Sequence, residues 1–522
     1  MPALNFVAVI LLLLTSLLPV SDAAANEAKP VDAAKAPVEI RLTPRQVEQD
    51  IELARETYQR IHPGYTRYTE MTELDAGWQH IVDRANREGG LSQGDFYLEI
   101  SKALTLIRCD HTKAELPSNM SKDRDLTPVY LPAKIELIER RGFVRATATD
   151  SGLQVKDEII SIDGRPFAEL LDKVEAFIPY DGYTEWSRES GLTESLEFKG
   201  GAIDHFGALL FDINDTATVN VRRKTTDSGE WQSLNIDVKR TTHADWLALK
   251  SSGTAIGGAP QETAANFKDG VFFSLINQYT AYLRVDTLVN YRKPVDPDEL
   301  FSPLFKQLNN SGASTLILDL RRNGGGSNDA QRSLIAHLIS KKIKPVREIR
   351  AKTLNLDGLR EHLWTWDKRA LNPNRMGFRK NDDGTWAMRG FVSDDLDKLK
   401  PAKHAFTGKV LVLTSTSNSS GSTSILTVIK QHADTTLIGG KTGGSVEGPT
   451  AGLSFTLTLP ESKIKTRVPF LQTFYNVTEF EHGLGLTPDV AVTQTVPDYL
   501  KGDDTVLNTA IDFARNRHDD MK

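Results

Sequence analysis

The sequence has very little cysteine: Cys109 is the single one among 522 residues. A chain with one cysteine cannot form an intramolecular disulfide, so its stability must come from buried cores rather than from cross-links. The same scarcity excludes a zinc site built from several thiolates, and the 11 histidines show no HExxH pair or similar metal-binding spacing. We therefore expect neither a metal nor a cofactor.

The sequence also lacks an excess of positive charge. Its formal net charge is −6, a quarter of its residues are charged, and no segment is basic enough to form a footprint for nucleic acid. This composition is typical of a globular protein, and the length favours several domains over one core. We therefore do not expect the protein to bind nucleic acid.

Long apolar runs are absent after the first 20 residues. Residues 6–20 read FVAVILLLLTSLLPV and are followed by small residues at 23–25, which is typical of a secretory signal peptide. No Lys or Arg precedes Lys29, and no cysteine ends the run to accept a lipid. We expect a signal peptide at 1–23, a tether at 24–42 and a periplasmic or secreted protein without stable membrane insertion. The alternative is an uncleaved anchor helix.

The rest of the chain divides by hydrophobic periodicity. Residues 43–120 show apolar residues at helical spacing, and residues 125–242 alternate as strands do. Residues 243–266 are polar and rich in Ala and Gly, which favours a linker. Residues 267–515 alternate strands with helices, as in a covered sheet. The aromatic side chains of an insert at 345–406 include Trp364, Trp366, Phe378 and Trp386. This insert either roofs a cleft or packs as a surface subdomain.

A serine-rich segment stands out in the last block. Residues 411–431 read LVLTSTSNSSGSTSILTVIKQ, with six serines between Ser415 and Ser424. Short hydroxyl side chains between a strand and a helix are ordinary capping and turn residues. A serine at the start of a helix can equally be a nucleophile, because backbone N–H groups beside it can bind a substrate oxyanion.

Three other places contain residues suited to chemistry. Residues 323–326, NGGG, follow an apolar strand, and glycines there allow backbone N–H groups to approach an anion, or simply make a tight turn. No GxxxxGK[ST] spacing is present to bind phosphate. His111 follows Cys109 and Asp110, and Glu479, Glu481 and His482 precede GLGLTPDV. His111 and the cluster of Glu479, Glu481 and His482 could equally face solvent. A nucleophile pair of Cys109 and His111 is disfavoured, because the two residues are so close in sequence.

The order of these segments resembles the family of tail-specific (C-terminal-processing) proteases and tricorn-core serine peptidases. The matching segments are IRCDHT, GLQVKDEIISIDGRP, LILDLRRNGGG, and the span from VLVLTSTSNSSGS through LIGGKTGGS to GLGLTPDV. The resemblance implies a multidomain α+β fold. Its parts would be a helical cap at 43–120, a PDZ-like β domain at 125–242, and a core of ClpP- or crotonase-like ββα units at 267–515.

The resemblance also implies the reacting groups. It aligns Ser420 with the family's nucleophile, Gly421 with the N–H donor that follows it, and Gly325 or Gly326 with the second oxyanion donor. The neighbouring serines that could replace Ser420 are Ser419 and Ser422.

The base follows the tricorn-like branch of the family. The lysine of the tail-specific branch falls on Ser445, and Lys441 lies four residues earlier, so that Ser–Lys pair is absent. His111 matches the histidine of the tricorn-like branch. The carboxylate that holds this histidine is expected at Glu481, although strict counting places it at His482.

The resemblance therefore predicts an exported serine endopeptidase that cleaves peptides or unfolded proteins, with the PDZ-like domain presenting an extended peptide by strand addition. Two alternatives stay open. One is a peptide-binding protein with a decayed active site, favoured by the missing lysine. The other is an esterase or amidase with the same serine and histidine, since the nucleophile does not specify the acyl group.

Overall fold

The computed structural model describes residues 40–225, 229–251 and 263–520, which belong to one compact unit. The predicted signal peptide and residues 24–39 of the predicted tether lie outside these ranges. None of the helices in the described ranges combines the length and the apolar character needed to span a bilayer.

The first module is helical, as its periodicity predicted. Helix α1 starts after Thr43, whose side chain accepts from the Gln46 N–H while the Gln46 side chain accepts from the Thr43 N–H. This capping box satisfies backbone donors that a helix start leaves free. Ile51 and Tyr58 lie on its buried face. The elements are β1 (Arg41–Leu42), α1 (Pro44–Ile61), α2 (Met71–Glu88), β2 (Leu91–Ser92), α3 (Gln93–Thr105), β3 (Ala114–Glu115) and α4 (Ser118–Leu126).

The second module is a twisted antiparallel sheet with strand order β4-β5-β6-β8-β9, in which β7 pairs with β6. Its first strand, β4, lies at the edge and pairs with β5 alone in this sheet. The elements are β4 (Ala133–Ile138), β5 (Arg141–Thr147), β6 (Glu158–Ile162), β7 (Arg165–Pro166), α5 (Phe167–Glu175), α6 (Ala202–His205), α7 (Gly207–Leu210), β8 (Thr216–Lys224), β9 (Trp231–Lys239) and α8 (His243–Ala248). Helix α8 occupies the start of the expected linker and buries Trp246.

The third module is built on a six-stranded sheet of order β10-β11-β12-β17-β18-β22, parallel except between β10 and β11. Two four-stranded sheets accompany it, β15-β16-β13-β21 and β14-β19-β20-β3. The elements are β10 (Val271–Leu275), β11 (Thr280–Val285), α9 (Pro297–Ser311), β12 (Thr315–Asp319), α10 (Asn328–Ala336), β13 (Val346–Ala351), β14 (Leu363–Trp364), β15 (Phe378–Lys380), β16 (Trp386–Met388), β17 (Lys409–Thr414), α11 (Ser420–His432), β18 (Thr435–Gly439), β19 (Ser454–Thr458), β20 (Lys465–Pro469), β21 (Leu471–Tyr475), β22 (Val490–Ala491), α12 (Val496–Lys501) and α13 (Thr505–Asp520).

The central sheet is covered on both faces, which explains why its strands are apolar without alternation. In β17, Val410 and Val412 pack toward helices α9, α10 and α11, whereas Leu411 and Leu413 pack toward helix α13. Successive side chains of a strand point to opposite faces, so one strand supplies two cores. This arrangement confirms the multidomain α+β class predicted from the sequence.

The insert at 345–406 contributes to both of the smaller sheets. Phe378 is buried and Trp386 packs against the main core, whereas Trp364 and Trp366 are exposed. The insert is therefore partly a packed subdomain, and the side chains of Trp364 and Trp366 remain accessible.

Candidate active site

The serine-rich segment forms a sharp turn between strand β17 and helix α11. Ser419 is extended, and Ser420, the first residue of the helix, has a φ of +50°. A non-glycine residue in the left-handed region costs about 1–2 kcal/mol, so such residues concentrate where a turn serves a function. Here the turn projects the Ser420 hydroxyl beside a helix N-terminus.

The Ser420 hydroxyl faces a histidine from the helical cap. His111 Nε2 lies 3.1 Å from Ser420 Oγ. His111 occupies a reverse turn that follows helix α3, in which the Thr112 N–H donates to the Cys109 carbonyl at 3.0 Å. The structure thus brings together the serine and the histidine that the resemblance selected, from positions 309 residues apart.

The carboxylate on this histidine is Asp110, its neighbour in the chain. Asp110 Oδ1 lies 2.5 Å from His111 Nδ1, and Ser419 Oγ donates to Asp110 Oδ2 at 2.5 Å. Both ring nitrogens of His111 are therefore engaged, one by Asp110 and one by Ser420. Because the Ser419 hydroxyl is bonded to the carboxylate, it is Ser420 whose oxygen faces the imidazole.

The expected partnership between His111 and Glu481 has to be corrected. Glu481 lies on an exposed turn, where its carbonyl accepts from the Leu484 N–H at 3.1 Å. Glu479 is exposed on the same segment. The reverse turn at residues 109–112 delivers Asp110 instead, because the two central residues of such a turn can direct their side chains toward each other.

The electrostatics favour charge separation within this pair. Partial burial lowers the pKa of His111, but the charge of Asp110 and its hydrogen bond outweigh that effect and raise the pKa above the ordinary 6.5. Burial likewise raises the pKa of Asp110, and the facing imidazole lowers it by more. Asp110 therefore stabilises the protonated imidazole, the form that a general base acquires when it accepts a proton from serine.

Two backbone N–H groups beside Ser420 are suited to an oxyanion. Gly421 is the second residue of α11, where an N–H has no acceptor within the helix. A Cβ built on Gly421 would lie 3.5 Å from the Gly326 nitrogen, so the two amides are neighbours. Gly325 was expected as an alternative donor, but its N–H donates to Asn323 Oδ1 at 2.8 Å. Gly421 and Gly326 are thus the pair available to a substrate oxygen.

Gly325 instead allows two loops of the site to approach each other closely. Its φ is +102°, and a Cβ there would lie 2.7 Å from the Gly421 nitrogen and 2.9 Å from Ser420 Cβ. Both distances are shorter than real Cβ contacts. Residues 323–326, here called the Gly loop, therefore approach the serine turn this closely only because residue 325 has no side chain.

We expect Gly325→Ala to lower kcat by about 100-fold or more, since displacing one oxyanion donor costs that much. The matched control is Gly324→Ala, whose added Cβ would meet the Ser417 carbonyl at an ordinary 3.7 Å and whose φ is not in the left-handed region. Steady-state kinetics should be compared at equal folded fraction, checked by thermal unfolding. Equal kcat values for the two variants would contradict the close approach.

Asn418 holds the serine turn against the Gly loop. Its Nδ2 donates to the Leu320 carbonyl at 2.6 Å and to the Asn323 carbonyl at 3.2 Å, and its Oδ1 accepts from the Ser415 N–H. Its side chain is fully buried. These bonds tie the end of strand β12 to the end of strand β17, so the two halves of the site are one rigid unit.

The remaining candidates lie away from Ser420. Lys441 is exposed, with Nζ 5.0 Å from the centroid of the Trp186 ring. His482 is more than half exposed and pairs through Nδ1 with Glu447 at 3.1 Å. The Ser422 hydroxyl accepts from Asn418 Nδ2 at 3.1 Å inside the turn. These three residues therefore serve other contacts, and the Ser420–His111 arrangement does not involve them.

A second carboxyl group, Asp181, lies behind the Asp110–His111 pair. Asp181 is buried, and its Oδ2 accepts from the Ser445 N–H at 2.9 Å. Burial and the nearby charge of Asp110 raise the pKa of Asp181 to about 7. Asp181 lies between helices α5 and α6 of the β-rich module, so its bond to Ser445 also ties this module to the core.

We expect Asp181→Asn to stabilise the protein more at pH 8 than at pH 5. Because the folded-state pKa is raised, the folded protein binds more protons than the unfolded chain between about pH 4 and pH 7, and stability falls as the pH rises through this window. Asparagine removes that loss and can still accept from Ser445. A gain of roughly 1–3 °C in Tm at pH 8 is expected. Asp212→Asn, an exposed control, should show no pH-dependent gain, and a gain equal at both pH values would contradict the assignment.

Among the described residues, one group has metal-ligand atoms close together: Cys109, Asp110 and His111, all within 4.8 Å of one another. Each of these atoms has a protein partner. The thiol faces the Thr450 carbonyl at 3.6 Å, and the other two face each other and Ser420.

The site opens into a cleft of about 2740 Å³, lined by residues of all three modules. The edge strand β4 lines it on one side, and the insert contributes Trp364 and Trp366 on another. A cleft of this size accommodates several residues of an extended polypeptide.

Comparison with known proteins identifies two domains in this chain. The profile of peptidase family S41 matches residues 279–492, and a PDZ domain profile matches residues 127–244. The chain is a serine-type peptidase with an S41 domain and a PDZ domain. The S41 match contains the Gly loop, the serine turn and the segment before GLGLTPDV, while His111 lies upstream of both matches. The family predicted from the sequence is confirmed.

Two solved structures of CPAF share the fold of this S41 peptidase. A mutant of CPAF is 15% identical over 88% of this chain and 94% of its own, with a TM-score of 0.60. Mature CPAF is 15% identical over 88% of this chain and 96% of its own, with a TM-score of 0.56. The photosystem II D1 C-terminal processing protease is 13% identical over 86% and 93%, with a TM-score of 0.39. No protein of curated function matches the sequence.

Sequence reasoning missed two residues of this S41 site. Asp110 was visible in IRCDHT, but only the turn at residues 109–112 reveals that it contacts the next residue. Asn323 was visible in NGGG, but nothing in the sequence shows that its side chain accepts from the Gly325 N–H.

Proposed function

We propose that this serine peptidase is an exported endopeptidase that cleaves peptides or unfolded proteins through an acyl-enzyme. Ser420 is the nucleophile, His111 the general base and Asp110 the carboxylate that holds it. The observation that carries the proposal is the continuous chain of contacts from Asp110 through His111 to Ser420, at 2.5 and 3.1 Å.

The first step forms a bond between Ser420 Oγ and the carbonyl carbon of the scissile peptide bond. The hydroxyl proton passes to His111 Nε2, and the resulting oxyanion accepts hydrogen bonds from the Gly421 and Gly326 N–H groups. When the tetrahedral species collapses, the C–N bond breaks and the proton on Nε2 goes to the leaving amine.

The second step regenerates the serine. Water gives a proton to His111 Nε2 and attacks the acyl carbon, the ester bond to Ser420 breaks, and the proton returns to Oγ. Asp110 acts in both steps by stabilising the imidazolium and keeping Nε2 directed at Ser420.

The substrate class is supported by the cleft and by strand β4. The cleft has room for several residues of an extended chain, and β4, the terminal strand of its sheet, lies along its wall. A peptide that adds to this edge would use its backbone groups, which any unfolded polypeptide presents. The PDZ domain would in this way hold the substrate while its scissile bond reaches Ser420.

The geometry of the site disfavours one of the two alternative functions and is compatible with the other. A decayed, purely binding protein would have no need for the strained Ser420 conformation and the close contacts that join Asp110, His111 and Ser420. An esterase or amidase would use the same triad, so a panel of matched peptide and ester substrates is the measurement that separates the two activities.

The proposal is tested by labelling the purified protein with a fluorophosphonate probe and mapping the adduct. We expect one adduct, on Ser420, that is lost in His111→Ala. An adduct that survives His111→Ala but is lost in Lys441→Ala would move the base to lysine. The absence of any adduct, together with retained peptide binding, would make the binding groove the function.

Export is proposed from residues 1–23 alone. If the signal peptide is cleaved there, the protein recovered from the periplasm or medium should begin at Ala24. N-terminal sequencing or intact mass measures this directly, and recovery of the full-length chain in the membrane fraction would favour an anchor helix.

A further inference from the structure

One wall of the cleft is the small sheet of order β14-β19-β20-β3. Its two edges have different neighbours: β3 begins three residues after His111, and β14 ends at Trp364. Residues from all four strands line the cleft. The sheet therefore connects the reacting groups to the aromatic part of the insert.

The register of this sheet gives the distance between its edges. Trp364 pairs with Thr456, Thr456 pairs with Arg467, and the Arg467 N–H donates to the Lys113 carbonyl at 2.8 Å. Directly paired residues lie on the same face of a sheet. Three steps between strands at about 4.8 Å each place Trp364 about 14 Å from Lys113, and Lys113 is two residues from His111. An extended polypeptide spans about 14 Å with four residues.

The surface along this line changes from charged to aromatic. Glu197 from the PDZ domain accepts from Lys113 at 3.2 Å and from Arg467 at 3.3 Å, so this part of the wall carries two positive charges and one negative charge. Trp364 and Trp366 lie at the end. Their side chains alternate with buried Leu363 and Thr365, so both indoles project from the same face.

The two indoles are exposed far more than a structural role requires. Trp364 is 56% exposed and Trp366 is 70% exposed, and both line the cleft. The Lys368 ammonium lies 4.9 Å from the Trp364 ring centroid, a cation–π contact that holds this indole in place. An ordered, exposed aromatic pair inside a cleft is typical of a surface that binds a ligand.

We propose that Trp364 and Trp366 form a subsite for an apolar or aromatic side chain of the polypeptide substrate, about four residues from the scissile bond. This inference rests on the proposed function and deepens it. The subsite selects among substrates by binding a remote side chain, while the triad acts on the backbone.

The first test measures binding without catalysis. In the Ser420→Ala protein, fluorescence anisotropy gives the Kd of a labelled peptide whose single phenylalanine is moved along a serine- and glycine-rich chain. We expect Trp364→Ala/Trp366→Ala to weaken binding of the best peptide by at least about tenfold, as loss of an aromatic anchor does. Phe391→Ala, on the same insert and 78% exposed but outside the cleft lining, should leave Kd unchanged.

The second test uses the active protein and compares a long peptide with a short ester. The double variant should lower kcat/KM for the long peptide, most strongly when the phenylalanine lies about four residues from the cleaved bond, and leave hydrolysis of the ester unchanged. Equal Kd values for wild-type and variant surfaces, or no dependence on the position of the phenylalanine, would overturn the subsite. Tryptophan-dependent binding without any hydrolysis by the wild type would support the subsite and overturn the proposed function instead.

Discussion

Replacing Ser420 by alanine is expected to lower kcat by about a million-fold, because removal of a triad nucleophile leaves only the oxyanion site and substrate binding. KM should change little, since the serine hydroxyl contributes to the chemical step rather than to binding. The measurement is hydrolysis of a quenched fluorescent peptide, followed over hours for the variant.

The double variant Ser420→Ala/His111→Ala sharpens this expectation. Because the histidine acts only through the serine, removing both should cost no more than removing the serine alone. Ser417→Ala provides the matched control within the same turn, and its activity should stay within about threefold of wild type, as for a residue outside the machinery. Substantial activity in Ser420→Ala that disappears in Ser419→Ala would move the nucleophile by one residue.

Replacing Asp110 by asparagine is expected to have two separable effects. The plateau of kcat/KM should fall by about 1,000- to 10,000-fold, because asparagine neither stabilises the imidazolium nor holds the correct tautomer. The rising limb of the pH profile should move to lower pH. His111 must be neutral to accept the proton, and Asp110 raises its pKa above 6.5, so activity in the wild type rises only at higher pH.

The expected shift of the pH profile to lower pH follows from the two effects that set the pKa of His111. Without the carboxylate, burial remains and lowers the pKa of His111. The variant should therefore be slower at every pH while reaching its plateau at a more acidic pH than the wild type. The measurement is kcat/KM between pH 5 and pH 10 for both proteins.

Glu481→Gln is the control for this experiment, because the sequence favoured Glu481 as the partner of the histidine. An exposed carboxylate away from the triad should change kcat/KM by no more than about twofold and leave the pH profile unmoved. If Glu481→Gln produced the acid shift and Asp110→Asn did not, the orienting carboxylate would have to reach His111 in a conformation different from the one described.

Several features of the fold could be read from the sequence because they depend on local patterns. Helices α1, α2 and α3 of the cap follow apolar spacing, and the continuous apolar runs in strands such as β17 identify a sheet covered on both faces. Ser420 and His111 were found by the order of motifs along the chain. The signal peptide at 1–23 stays a prediction.

Other features depend on tertiary contacts that leave no pattern in the sequence. Whether Asp110 meets His111 depends on a single reverse turn, and whether Gly325 or Gly326 offers its N–H depends on where the Asn323 side chain points. Likewise, Trp364 and Trp386 are equivalent in the sequence, but one lines the cleft and the other packs against the core.

The sequence by itself determined the modules and their order and selected Ser420 and His111 as the proposed nucleophile and base, because periodicity and motif order are properties of the chain. The tertiary structure alone decided which carboxylate lies against the histidine, which amides lie beside the serine and which tryptophans reach the cleft. These choices are differences of a few ångströms and a few dihedral angles between neighbouring residues. They are set by the packing of the cap and the insert around the core, and the local sequence does not encode that packing.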